Sequence, residues 1–162
     1  MNVQTRRAAP ADDRALAVLD AEAWPLELQV VPPQDAAEPF FGPRRAPQDV
    51  IVATLDGTVV GYARIGRHMP IASNEHVLHF EALAVAPAAR GLGVGSRLIE
   101  AMIDEARARG ARKFGLRALS TNEQAIRLYQ RYGFREEGRL IDEIRLPDGS
   151  FAHDVWFALP LT

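Results

Sequence analysis

The residues best suited to chemistry lie between positions 79 and 154. Arg90-Gly91-Leu92-Gly93-Val94-Gly95-Ser96 follows the apolar run Leu83-Ala84-Val85. It precedes a stretch in which Val94, Leu98, Met102 and Ala106 recur at every fourth position, the spacing of a helix face. Glycines in such a strand-to-helix turn let the backbone bend tightly and approach a ligand closely. The first N–H groups of the helix lack partners within it and carry a partial positive charge. Together these make an anion cradle suited to phosphate, and Arg90 adds a mobile cation. Two common phosphate loops are excluded. The string G-x-x-x-x-G-K-[ST] does not occur, and the third glycine of G-x-G-x-x-G is replaced by Ser96 or Leu98, depending on the frame. Upstream lie His79 and Glu81, downstream Asn122 and Tyr129, and near the end His153-Asp154. His76 and His79 do not suggest a metal site, because residues three apart on a strand point to opposite faces and no third ligand is near. The chain has no cysteine, which excludes a disulfide framework, a thiolate metal site and a cysteine nucleophile.

These side chains need elements to position them. Val3 to Arg7 is predicted as a first strand. Asp12 or Asp13 is a helix N-cap before an apolar stripe beginning at Leu16 and Leu19. Trp24-Pro25 disturbs that helix, and six prolines between Pro25 and Pro47 exclude a long regular one. That stretch reads as a short broken helix plus loop, near Leu26 to Val31 and then Asp35 to Phe41. It is either a surface connection or a mobile wall over a binding site. Val50 to Leu55 and Val59 to Ile65 flank the hairpin turn Asp56-Gly57. In the strand from His76 to Val85, Leu78 and Phe80 share one parity, and Leu83 and Val85 the other. One extra residue near Glu81-Ala82, a bulge, would restore a single apolar face. A helix from the glycine turn ends at Gly110. Lys113 to Leu119 is a strand. Ser120, Thr121 or Asn122 caps a helix whose inner face is Ala125, Leu128, Tyr129 and Tyr132, ended by Gly133. Phe134 to Leu146 and Phe151 to Leu159 are strands joined through Pro147-Asp148-Gly149. The order is that of an α/β (α+β) protein with helices packed on a mixed sheet.

Composition narrows the function classes. The chain of 162 residues, residues 1–162, suits one domain. Its 48% hydrophobic and 25% charged content is that of an ordinary globular domain. A formal net charge of −2 argues against a nucleic-acid coat protein. No apolar run is long enough to span a membrane, and the first residues lack the apolar core of a secretory leader. The expectation is a soluble, cytoplasmic protein with no nucleic-acid and no membrane partner.

Arg90-x-x-Gly93-x-Gly95, after the strand Leu83-x-Val85-x-Pro87, resembles the acetyl-CoA-binding motif of the GNAT superfamily of N-acetyltransferases. Asn122-x-x-Ala125-Ile126-x-Leu128-Tyr129-x-x-Tyr132-Gly133-Phe134 resembles that family's second signature, at the expected distance. Two linked motifs in order are far more specific than either alone. The resemblance covers residues 50 to 159 well and the first 50 only weakly. It implies the GNAT fold, a mixed, mostly antiparallel sheet of about seven strands flanked by helices, with a splayed, bulged strand at residues 76–85.

The resemblance also implies roles. Backbone N–H groups from Gly91 through Leu92, Gly93, Val94 and Gly95 to Ser96, with Arg90, would bind the pyrophosphate of acetyl-CoA, the cosubstrate. The pantetheine arm would lie beside the bulged strand, bonded by backbone groups around Leu83, Ala84 and Val85, with Asn122 and Ala125 beside it. Asn122 is equally a helix cap. The strand backbone near Val85 would supply the oxyanion donor. Tyr129 stands at the family's position for the proton donor to the departing thiolate, although a buried core tyrosine would fit the same pattern. A general base must take the proton of the attacking amine. Glu81 is the first candidate and His79 the second. Trp24, Phe40, Phe41, His153 and Asp154 are candidate walls of the acceptor pocket, and Arg44-Arg45 is either an acid-attracting pair or a solvated one. No metal is expected. The expected activity is direct acetyl transfer to a small-molecule or peptide amine in a ternary complex. The competing reading is a CoA-binding sensor or regulatory module without catalysis. A homodimer through the C-terminal strands is compatible with the family but required by no feature of this sequence.

Overall fold

Asp56 and Gly57 have positive φ values of 49° and 84°, the conformation a two-residue hairpin turn demands. They join β2 (Val50–Leu55) to β3 (Thr58–Gly66). Every residue of β2 except the last is buried, which fits its apolar run Val50-Ile51-Val52-Ala53: a strand covered on both faces has no reason to alternate. Ile51 and Ala53 face one core, Val50 and Val52 the other. The computed structural model describes residues 2–162, apart from the side chain of Leu26.

Seven strands form one sheet in the order β1-β2-β3-β4-β5-β7-β6. The other strands are β1 (Val3–Arg7), β4 (Val77–Val85), β5 (Lys113–Leu119), β6 (Arg135–Arg145) and β7 (Phe151–Pro160). All neighbours are antiparallel except β4 and β5, which run parallel. On one face lie α2 (Val94–Ala108) and α3 (Glu123–Arg131), burying Leu98, Ile99, Met102 and Tyr129 against Phe80, Phe114 and Leu116. On the other lies α1 (Asp13–Ala23), which seats Leu16 and Leu19 on Val50, Val52 and Tyr62. The predicted strands and helices around both motifs are therefore present, with Asn122 as the cap of α3 and Gly110 in the left-handed conformation (φ 78°) that ends α2.

Two features of β4 shape the site. Arg64 pairs with Ala82 and Ile65 with Phe80, leaving Glu81 as the extra residue of a bulge. Leu83 and Val85 thereby pack on the same core as Leu78 and Phe80, as the phase slip predicts. Secondly, β4 pairs with β5 only from Val77/Lys113 to Phe80/Leu116. Residues 81–85 and 117–119 have no partner in each other, because the bulge adds local bend and twist. The two strands splay into a V.

Between α1 and β2 the sequence reading needs correction. Among the described residues there is no α-helix here; the expected short helix is a single 3-10 turn at Leu26–Leu28, and a second 3-10 turn at Pro47–Asp49 leads into β2. Around residues 36–38 the chain turns, with the Asp35 carboxylate accepting the Ala37 N–H at 2.8 Å. Pro32, Pro33 and Pro39 each lack an N–H and push the preceding residue out of the helical region. Phe40 does not wall the cavity between β4 and β5: it is 1% exposed, in the core against Tyr62. Among the described residues no helix is long and apolar enough to cross a membrane.

Candidate active site

The glycine turn leads into α2. Gly91 and Gly93 have φ values of 79° and 80°, a region other residues rarely adopt. A Cβ on either would meet nothing within 4 Å, so these glycines serve the turn and border open space. Gly93 is the N-cap of α2 and no side chain caps the helix. No acidic residue stands in the first turn, so the N–H groups of Val94, Gly95 and Ser96 keep their positive potential. Arg90 is less free than expected from sequence. Its Nη2 donates to the carbonyl of Ala23 at 2.6 Å, tying the turn to the end of α1. Leu92 is 40% exposed and points away from the groove lined by its neighbours.

The open limb of the V continues from this turn. The Ala86 N–H donates to the Val60 carbonyl at 2.8 Å. Antiparallel ladders alternate, so Ala84 also directs its N–H and C=O to β3, and its carbonyl stands against Gly61. Leu83 and Val85 direct theirs into the gap. Of the predicted trio, Ala84 thus lines the groove without offering it backbone groups. The groove, about 460 Å³, runs from Arg90 and Ser96 past Leu83 and Asn122 to Trp24. It opens into a central cavity of about 430 Å³, whose walls include Glu81, Leu83, Asn122, Tyr129 and Asp154. Trp24, Leu28, Leu83, Asn122 and Ala125 border both.

Asn122 does cap α3: its Oδ1 accepts the Ala125 N–H at 3.3 Å. That leaves its Nδ2, which has no partner among the described residues, beside both cavities. Tyr129 packs edge-on against Phe80 and Phe134, each with ring centroids 6.0 Å away. Its hydroxyl has no protein partner among the described residues, yet it is not a buried unsatisfied group; it opens to the central cavity. Burial pushes the phenol up to about 12, so it stays protonated at any physiological pH.

The two base candidates separate. Glu81, on the bulge, borders the central cavity, a second cavity beneath the Leu28–Gln34 loop, and a small one of about 160 Å³. Arg64 Nη2 lies 3.3 Å from its carboxylate. The glycine at 66 makes this placement feasible, since a Cβ there would lie 2.3 Å from the carboxylate. Of these cavities His79 borders the small one, with His68, Phe80, Glu81 and Arg117. Burial, followed by the charges of His68, Lys113 and Arg117, lowers its pKa below the usual imidazole value, while Glu137 opposes this.

His153 and Asp154 also part. Asp154 is 4% exposed in the wall of the central cavity, where Arg117 Nε donates to it at 2.9 and 3.1 Å. The Arg117 guanidinium lies 4.7 Å from the Trp156 ring centroid. His153 accepts the Asp142 N–H through Nδ1 at 3.0 Å and borders none of these cavities. His68, Asp20 and Tyr62 are site neighbours that sequence reading missed. His68 follows a strand end without periodic signal. Asp20 and Trp24 are one helical turn apart, a spacing that does place them on one face. Among the described residues no cluster of three or more His, Asp or Glu could hold a metal.

Comparison with known proteins identifies the relatives of this fold. Residues 15–134 match the model of the Acetyltransferase (GNAT) family. Over 106 residues the chain is 29% identical to mycothiol acetyltransferase of Brachybacterium faecium, covering 65% of this chain and 30% of that protein. Over 89 residues it is 36% identical to the N-alpha-acetyltransferase RimI of Mycobacterium tuberculosis, covering 53% of this chain and 51% of that one. The matched stretch thus spans about half or less of these curated relatives. Among solved structures, a GNAT superfamily phosphinothricin acetyltransferase from Sinorhizobium meliloti, in complex with acetyl-CoA, superposes with a TM-score of 0.82. That match covers 99% of this chain and 89% of the other at 20% identity, a likeness of fold.

Proposed function

Since the chain belongs to the Acetyltransferase (GNAT) family, we propose that it moves an acetyl group from acetyl-CoA to a primary amine by direct transfer in a ternary complex. The observation that carries this reading is the unpaired edge of β4. It runs from an uncapped helix N-terminus into a cavity bordered by Tyr129 and Glu81. The N–H groups of residues 94–96 would hold the pyrophosphate, and the free backbone groups of Leu83 and Val85 would pair with the pantetheine arm as a further strand would. When bound, acetyl-CoA supplies the thioester on which the amine acts.

The residues divide the work. Glu81 takes the proton from the incoming ammonium, directly or through one water, which frees the nitrogen lone pair. The backbone N–H of Val85 or its neighbour on the free edge donates to the developing oxyanion. As the C–N bond forms and the C–S bond breaks, the Tyr129 hydroxyl donates a hydrogen bond to the departing sulfur; the nitrogen's second proton leaves to solvent, which protonates the sulfur as free CoA. His79 stays outside the acceptor path.

Thermal unfolding with and without acetyl-CoA, beside calorimetric titration, tests the reading. A ligand at 100 times its Kd adds about 2.7 kcal/mol of apparent stability. Ser96→Glu is the control: an acid in the first helical turn favours the helix by about 0.3–1 kcal/mol yet repels a pyrophosphate. The expected result is a stabilised native protein and a folded Ser96→Glu variant that acetyl-CoA leaves unchanged. Release of free CoA with a panel of amines then establishes turnover. No stabilisation at millimolar acetyl-CoA defeats the proposal. Binding without turnover on any amine would support the sensor instead.

A further inference from the structure

Trp24 is the C-cap of α1, with extended backbone (φ −97°, ψ 111°) ahead of Pro25. It borders the cofactor groove, the central cavity and the cavity beneath the Leu28–Gln34 loop. A side chain shared by three cavities must be held: Asp20 bonds it directly, while Gln29 and Arg90 fix the backbone beside it and Tyr62 and Arg45 contact Asp20. Its Nε1 donates to Asp20 Oδ1 at 2.9 Å. The buried Tyr62 hydroxyl donates to the same oxygen at 2.5 Å. Gln29 Nε2 donates to the Trp24 carbonyl at 2.8 Å. Arg90, from the glycine turn, donates to the carbonyl of the preceding residue at 2.6 Å. Arg45 stands 3.6 Å from the other Asp20 oxygen.

We infer that Asp20 is a positioning residue that sets the Trp24 indole as the common wall of cofactor groove and acceptor cavity, so that both substrates meet across it. The inference rests on the reading of the groove as the acetyl-CoA site. The chemistry is directional. An anionic carboxylate oxygen accepts from two donors at once and fixes the ring by its one polar atom. Tyr62 is suited to donate, because burial, and after it Asp20, raises its phenol well above the usual value. A hydrocarbon at position 20 would leave the indole free to rotate about its side-chain bonds. Asparagine would keep an acceptor oxygen and remove only the charge facing Arg45.

Trp24 and Trp156 are the two tryptophans of the chain, so a Trp156→Phe background makes Trp24 the reporter. In that background Asp20, Asp20→Asn and Asp20→Ala are compared for emission, acrylamide quenching, acetyl-CoA binding heat and steady-state kinetics. Asp20→Ala is expected to emit further to the red and to quench more readily before any ligand is added. Its kcat/KM should fall by about 10- to 100-fold, the scale of a misplaced positioning group, mainly through KM for both substrates. Asp20→Asn should restore both readouts. If Asp20→Ala fails to fold, Trp24→Phe, which keeps a smaller aromatic ring and loses the N–H, must show the same rise in both KM values. Native emission and unchanged KM in a variant that still binds acetyl-CoA overturn this inference alone. No binding heat in the native protein overturns it together with the acetyltransferase reading.

Discussion

Replacing Tyr129 with phenylalanine separates a catalytic hydroxyl from a core aromatic, and the structure bounds the size of the effect. Burial raises the phenol to about 12. A thiol has a reference pKa near 8.5, so complete proton transfer from Tyr129 to a thiolate is uphill by about 3.5 units, or about 5 kcal/mol. Tyr129 therefore acts by donating a hydrogen bond to the charge as it develops rather than by surrendering its proton early. A hydrogen bond to a charged group contributes about 1.5–3 kcal/mol, which sets the loss in kcat at about 10- to 150-fold. Stability should barely move. The ring contacts to Phe80 and Phe134 survive, and the hydroxyl has no protein partner among the described residues, so the change stays within about 0.5 kcal/mol. The assay is CoA release at saturating amine, beside a melting curve and the acetyl-CoA affinity. A kcat within twofold of native, with unchanged affinity and fold, would refute the donor role. The pH dependence follows with the same sign. Between its unfolded value near 10.0 and about 12 in the fold, Tyr129 ionises only when unfolded, so alkali removes stability there. The phenylalanine variant should lack that loss.

Glu81→Gln should lower kcat by about 100-fold at neutral pH, with the deficit shrinking as rising pH supplies free amine. Gly66→Ala should produce a milder version of the same defect with an intact fold, because a Cβ there would lie 2.3 Å from the end of a flexible glutamate. Arg6 donates to Asp12 at 2.7 and 2.8 Å, and that contact holds the Asp12 carboxyl below its ordinary value of 3.8. Its contribution is present above that value and is lost as pH falls through the lower folded one. Asp12→Asn should therefore cost about 1–2 kcal/mol at neutral pH and flatten the acid limb of a stability curve. Leu98→Ala, at a residue with no exposure, should cost about 2–5 kcal/mol in denaturant unfolding while leaving the cradle's sequence intact. A smaller loss would mean that the core beneath α2 collapses around the gap.

Much of the site was legible because it depends on local rules. Gly93 can hold φ 80° where another residue would be strained, so the glycine turn announces itself. The parity slip between Phe80 and Leu83 marks the bulge because side chains alternate strictly along a strand. Asn122 stands where a cap belongs. Failures came where distant segments decide. Sequence placed Phe40 in the pocket wall because its loop is irregular, but the loop folds back and the ring fills the space beneath α1. His153 and Asp154 are neighbours in the chain yet face opposite sides of β7, so one joins the cavity and the other bonds the Asp142 N–H.

Glu81 and His79 show the division most plainly. The alternating pattern determined that a strand carries both residues and that an extra residue intervenes near them, since backbone periodicity is a property of adjacent positions. It could not determine which side chain meets the central cavity. That depends on how β4 diverges from β5 after Phe80/Leu116, on a glycine at 66 that leaves room for Glu81, and on His68 closing over His79. The same holds for Trp24: its helix-ending place beside Pro25 is local, while its role as a shared wall depends on Tyr62 and Arg90. Local sequence decides backbone conformation, because torsional and steric preferences act over a few residues. Tertiary structure decides which polar groups share a cavity, because that depends on how strands and helices far apart in the chain are brought to one edge of the sheet.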